Sequence, residues 1–196
     1  FIANNTLKDS IYGTVYRVSV GATLSLIDAI TDIYVVATYY KTGISKQANS
    51  LLAMILTNLL VQMIVVHVQY KRKTRKEKMQ EALITLFLLR PAVDAYRVSN
   101  LKSDDQTMMD PLFEMMINKC SELATESIPG CVLQIYVWLL SPEKAGTFAV
   151  LSIFISALTT GYTSAMITID FDVDHNRRSQ MPTLYGFVPD DHTKRG

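Results

Sequence analysis

Two carboxylates four residues apart, Asp28 and Asp32, stand inside an apolar stretch, and Glu122 and Glu126 repeat that spacing later in the chain. Residues four apart share one helical face, so each pair presents two acids to the same side. An aspartate at the centre of a spanning helix costs roughly 2.5–3.5 kcal/mol on insertion scales, so such acids face protein or a watery cavity. Three kinds of chemistry suit such a stripe: a polar conduit, a cation or proton site in a channel or coupled transporter, or a salt-bridged lock between helices. Two bases are available as partners. Lys119 lies three residues before Glu122, on the same face, and Arg90 is expected to meet Asp28 or Asp32 across a bundle.

Enzymatic chemistry finds little support in the remaining residues. His67 and His175 lack a ligand triad, no glycine-rich phosphate loop is present, and neither cysteine sits beside a base at a catalytic spacing. Cys120 and Cys131 fall in one helix, where eleven residues of rise separate them by about 16 Å. They cannot bridge each other and read as small buried apolar residues. Asp170, Asp172 and Asp174 copy the start of a calcium loop, yet His175 replaces the glycine and Met181 the closing glutamate. A solvated helix exit is the expectation there. The chain is therefore read as a non-enzyme with no cofactor and no metal. A net charge of +1 over 196 residues, with no basic and aromatic face, also argues against nucleic acid.

The elements that must position the acids are helices of membrane length. Hydrophobic residues make up 49% of the chain and charged ones 19%, but they are segregated into long apolar runs and compact charged stretches. That segregation predicts a polytopic, all-α membrane protein forming a single membrane domain, with four spans at about 18–40, 48–70, 111–140 and 145–169. In the first span Ser25, Asp28, Asp32 and Tyr39 share a face, and Leu24, Leu26, Ile27, Ile30, Ile33 and Val36 supply most of the rest. The second span reaches roughly 34 Å, enough for a hydrocarbon core of about 30 Å. Residues 81–98 hold Arg90, Pro91, Asp94 and Arg97 and read as one short membrane-dipping or interface helix. Asp110 before Pro111 predicts a helix start, and Pro129 a kink or break in the third span. Ser152, Ser156, Thr160 and Ser164 recur every four residues and read as a seam for close helix packing.

Charge asymmetry orients these spans. Lys71, Arg72, Lys73, Arg75, Lys76 and Lys78 follow the second span directly and belong on the cytoplasmic side, where they would also meet anionic lipid at about 1 kcal/mol per basic residue. The N-terminus and the tail, 170–196, then lie in the cytosol. The first residues lack the order of a cleaved signal and do not begin with Met, so the chain is expected to be part of something longer.

The run Asp28-Ala-Ile-Thr-Asp32, followed by Tyr39-Tyr40-Lys41-Thr42-Gly43, resembles the opening membrane helices of the XK-related family. The stretch Glu122-Leu-Ala-Thr-Glu126-Ser-Ile-Pro129-Gly130-Cys-Val-Leu-Gln134-Ile-Tyr136 is similar to that family's acidic helix, with Gly130 where the family usually has Gln. Members are longer and carry more membrane helices. The resemblance implies phospholipid scrambling, the passage of lipids between leaflets without an energy source. It implies that Asp28, Asp32, Glu122, Glu126 and Gln134 line the path, with Arg90 and Lys119 as counter-charges. Membrane lipids are the implied partners. A second reading is a non-transporting subunit whose acids pair with helices of a membrane-protein partner or a larger assembly.

Overall fold

The computed structural model describes residues 11–100 and 109–173, with side chains over 13–100 and 109–168. Every regular element among them is helical: α1 (Ile11–Lys41), α2 (Ser45–Gln69), α3 (Arg75–Leu86), α4 (Arg90–Ser99), α5 (Pro111–Glu122), a π-helical turn (Leu123–Ser127), α6 (Ile128–Leu140), the short α7 (Pro142–Ala145) and α8 (Thr147–Val173). Four rods are long and apolar enough to cross a membrane: Gly13–Lys41, Ser45–Gln69, Pro111–Leu140 and Thr147–Thr168. The expected cytosolic tail beyond residue 173 lies outside the described residues.

The side chains are arranged inside out relative to a water-soluble bundle. Ile27, Ile30 and Ile33 of α1, Leu56, Leu60 and Ile64 of α2, Val132 and Leu139 of α6, and Phe154 and Leu158 of α8 are exposed. Asp28, Asp32, Asn58, Gln62, Gln134, Ser152 and Ser156 are buried. Apolar surface of that extent is stable only against acyl chains, and polar groups are costly there unless partnered inside. The chain is an integral membrane protein. Val36 departs from the lipid-facing set expected on α1: it is buried against its neighbours, as is Tyr39 beside the interfacial Tyr40.

α1 runs through the middle and packs against α2, α4 and α8. Two apolar clusters grip its ends. Val35, Val36 and Tyr39 join Ala48, Leu51 and Ile55 of α2 and Val137 of α6 at one end. Val18 and Ala22 join Ala95 and Val98 of α4, Met115 of α5 and Met166 of α8 at the other. Ser25, Asp28, Thr31 and Asp32 lie between these plugs, so the acids occupy a polar layer closed by apolar packing on both sides.

The stretch expected as one dipping helix is two. α3 begins with a capping box, in which Thr74 accepts from the Glu77 amide while Glu77 reaches back to the Thr74 amide. It ends in a Schellman turn: the Leu89 amide donates to Ile84 O and the Leu88 amide to Thr85 O, with Leu88 at φ +59°. Pro91, at the start of α4, has no amide to lose there and keeps the break open. The α1–α2 turn uses the same motif, with Ile44 donating to Tyr39 O and Gly43 at φ +78°. A leucine holds that left-handed conformation at a cost that glycine avoids. Leu88→Gly is therefore expected to stabilise the hairpin by about 0.5–1 kcal/mol, read as slower amide exchange across α3 and α4. Faster exchange would contradict the strain assigned to Leu88.

The third rod stays continuous through Pro129. The proline lacks an amide and its ring crowds the carbonyl four residues back, so the backbone widens into the π turn, with the Ile128 amide reaching Leu123 O. The rod is thus unbroken at Pro129, and the π turn adds register there. Asp110 takes the N-cap position before Pro111, but its side chain makes no capping bond to α5.

Candidate functional site

The acids of α1 meet donors from three other helices. Asp32 is 1% exposed. Its Oδ1 accepts from Gln134 Nε2 at 2.7 Å and from Ser152 Oγ at 3.1 Å. One turn earlier, Asp28 Oδ1 accepts from Ser156 Oγ at 2.6 Å and Oδ2 from Ser127 Oγ at 3.3 Å. The four-residue step along α1 is matched by a four-residue step along α8, which lets two serines serve two aspartates.

The glutamates belong to the same layer. Glu126 Oε2 accepts from Asn58 Nδ2 at 2.5 Å. Asn58 Oδ1 in turn accepts from Gln62 Nε2 and Ser121 Oγ, both at 3.3 Å. Lys119 Nζ sits 3.0 Å from Glu122 Oε2 and also donates to Ser25 Oγ, tying the pair to α1. The π turn is what brings this about: it adds the register that leaves Glu122, Glu126 and Ser127 all buried. A narrow cleft between α1, α2 and the third rod is walled by Ser25, Asp28, Asn58, Gln62, Glu122 and Glu126, with Leu88 and Pro91 of the hairpin also lining it.

Asp28, Asp32, Glu122, Glu126, Gln134 and Lys119 are thus brought together. Arg90 is not. It stands in a second network at the junction of α3, α4 and α5, where Nη1 is 2.8 Å from Glu81 Oε2 and Nη2 is bonded to Glu114. Its Nε lies 2.9 Å from Asp94 Oδ1, an ion contact whose angle falls short of a hydrogen bond. Arg97 bonds Glu81 and the Tyr70 hydroxyl, and both guanidinium groups lie over the Tyr70 ring. Gln69 joins Glu114 at 3.0 Å. The expected pairing of Arg90 with Asp28 or Asp32 therefore gives way to three nearer carboxylates, because the hairpin turn folds α4 back toward α3.

Other expectations shift for similar reasons. Ser152 and Ser156 are buried as expected, but they donate to the aspartates and do not merely allow close packing. Farther along, Thr159 and Thr163 turn inward while Thr160 is half-buried and Ser164 exposed, because a four-residue step drifts off a helix face of 3.6 residues per turn. Cys120 is exposed and Cys131 half-buried, not buried, and both are free thiols. The basic residues Lys71, Arg72, Arg75 and Lys76 are exposed, with Lys73 and Lys78 half-buried, in the α2–α3 turn and the first turn of α3. The side chains of Asp170, Asp172 and Asp174 lie outside the described residues.

Sequence reasoning missed Asn58 and Ser127 as partners of the acids, and Glu81, Asp94 and Glu114 as partners of Arg90. Asn58 and Gln62 carried a usable signal, two amides four apart in an apolar span. Ser127 carried none, because its burial depends on the π turn.

Comparisons of the chain with protein-family models, curated proteins and solved structures returned no match.

Proposed function

We propose that this chain is a phospholipid scramblase of XK-related type, in which lipid headgroups pass along the acidic interior while their tails stay in the bilayer. The observation that carries the reading is the single buried file formed by Asp28, Asp32, Glu122, Glu126 and Gln134, set within helices whose outer faces are apolar. A polar interior of that kind lowers the cost of moving a zwitterionic headgroup through hydrocarbon, and its carboxylates suit the cationic amine of such a group. The two apolar plugs on α1 make this a closed arrangement, so passage requires them to part.

The test is leaflet exchange of fluorescent phospholipid in proteoliposomes. Exchange well above protein-free vesicles, lowered at least about tenfold by Asp28→Leu with Glu126→Leu, supports the reading. Exchange at the protein-free rate, with the chain inserted and folded and every activating condition tried, overturns it.

A second reading has its own support. Asp28 and Asp32 are already hydrogen-bonded by Ser127, Gln134, Ser152 and Ser156, as expected of a layer that locks helices together inside a membrane subunit. Under that reading the same substitutions would loosen the bundle and leave leaflet exchange unchanged.

A further inference from the structure

The hairpin of α3 and α4 reaches the depth of the acids. Leu88 and Pro91, at its tip, line the cleft that Asp28, Asn58 and Glu126 also wall, and Asn58 stands near the middle of α2. Residues that share a cleft with the middle of a spanning helix lie at bilayer depth. The base of the hairpin, by contrast, follows the end of α2 directly. At 1.5 Å per residue the ten steps of α3 from Lys76 to Leu86 cover about 15 Å, half of a hydrocarbon core of about 30 Å. The α2–α3 turn is therefore level with lipid headgroups.

The outward face of α3 changes character along that depth. Lys71, Arg72, Arg75 and Lys76 are exposed at the base, and Met79, Leu83, Leu86 and Phe87 are exposed beyond them. Steps of three and four residues set Lys76, Met79, Leu83 and Leu86 on one stripe. Glu81, Thr85 and Arg90 are buried on the side turned to the bundle. A helix lying flat in an interface carries its apolar residues along its whole length, whereas this stripe is basic at one end and apolar at the other. Such a stripe matches one lipid from headgroup to chain.

The charges at the base are available to a ligand. Among the described residues no ion pair holds Lys71, Arg72, Arg75 or Lys76. Glu77, the acid within this run, is turned to the helix cap, where its carboxylate accepts from the Thr74 amide and hydroxyl. Grouped bases at a membrane surface favour anionic headgroups over zwitterionic ones. An exposed apolar stripe at bilayer depth, like those of the four rods, has acyl chains as its occupant.

We propose that α3 and the turn before it form a binding site for an anionic phospholipid, its headgroup on Lys71, Arg72, Arg75 and Lys76 and its chains along the apolar stripe to Phe87. The site lies outside the acidic interior and holds whether or not lipid crosses the protein.

A fluorophore at the tip of the stripe tests it. Trp138 is the single tryptophan of the chain, so Trp138→Phe with Phe87→Trp moves the reporter to the hairpin. Both positions are exposed and each keeps an aromatic ring, so the fold is retained. The reporter chain is reconstituted in bilayers of phosphatidylcholine and phosphatidylglycerol, with bromine on the acyl chains of one lipid or the other to quench the indole. Quenching is expected to show phosphatidylglycerol enriched about fivefold over its bulk fraction. Lys71→Gln with Arg72→Gln, Arg75→Gln and Lys76→Gln should bring the two lipids to parity while quenching by both persists. Lys46→Gln with Lys144→Gln, exposed bases elsewhere, should leave the preference unchanged. Equal quenching by the two lipids in the reporter chain overturns the site, as does a preference that survives the fourfold substitution or is lost equally in the Lys46 and Lys144 variant. Quenching by neither lipid overturns it as well, because residue 87 would then not meet acyl chains.

Discussion

Arg90→Met is expected to destabilise the protein by about 3–5 kcal/mol, because it leaves buried carboxylates with too little positive charge. Arg90 is 1% exposed and serves Glu81, Asp94 and Glu114 together, from three different helices. Arg97 would remain, bonded to Glu81 and 4.0 Å from Asp94, too distant and too exposed to replace it. Arg90→Lys keeps the charge but not the fork that reaches three acids, so an intermediate loss follows.

The deficit should depend on pH with a definite sign. Burial already lifts the Asp94 carboxyl above its ordinary range, against the pull of Arg90. Removing that pull lifts it further. A group that binds its proton more tightly in the folded state than in the unfolded state adds stability as pH falls through its folded pKa toward its unfolded one. The melting midpoint of Arg90→Met, relative to the parent chain, should thus recover as pH falls through the raised folded pKa of Asp94 toward the ordinary carboxylate range. A deficit that widens on acidification would show that Arg90 does not act by balancing these carboxylates.

Lys119→Met carries the second large effect, and a double substitution reveals its cause. Lys119 is the base of the polar layer, bound to Glu122 and Ser25, and the side chains of Lys119 and Glu122 are each only 10% exposed. Without it four acids share one interior with no counter-charge from the described residues. A loss of about 3–5 kcal/mol is expected from the single change. Lys119→Met with Glu122→Gln removes both members of the pair, and most of that loss should return, because breaking one partner costs more than deleting both. Thermal melts of the parent, the two single variants and the double variant measure the coupling. Simple additivity would mean that the pair contributes little and that the layer tolerates its charge by other means.

The two networks separate what holds the molecule from what lies at its centre. The Arg90 network ties the hairpin to the end of α2 and the start of α5, with two guanidinium groups set against three carboxylates. The layer around Asp28 and Asp32 sets four carboxylates against one base among the ion pairs of the described residues, Lys119. That contrast directs functional interest to the second.

Much of this was legible in the residues because helical geometry is local. Apolar runs of sufficient length specified four spans, and the recurrence of Ser25, Asp28, Asp32 and Tyr39 on one face placed all four inside. The three-residue step from Lys119 to Glu122 likewise specified a pair that forms within one helix. Pairings between helices were beyond such reasoning. Gln134 and Ser152 reach Asp32 from more than a hundred residues away, and nothing local in α8 distinguishes a serine that packs from one that donates. Arg90 had acids on several elements within plausible reach, and its choice was decided by a turn at Leu88 that no glycine announced. Sequence alone thus determined the four spans and which residues of the α1 polar stripe turn inward. Tertiary structure decided which of them meet, because contact depends on how rods cross and turn, and periodicity within one rod does not encode that.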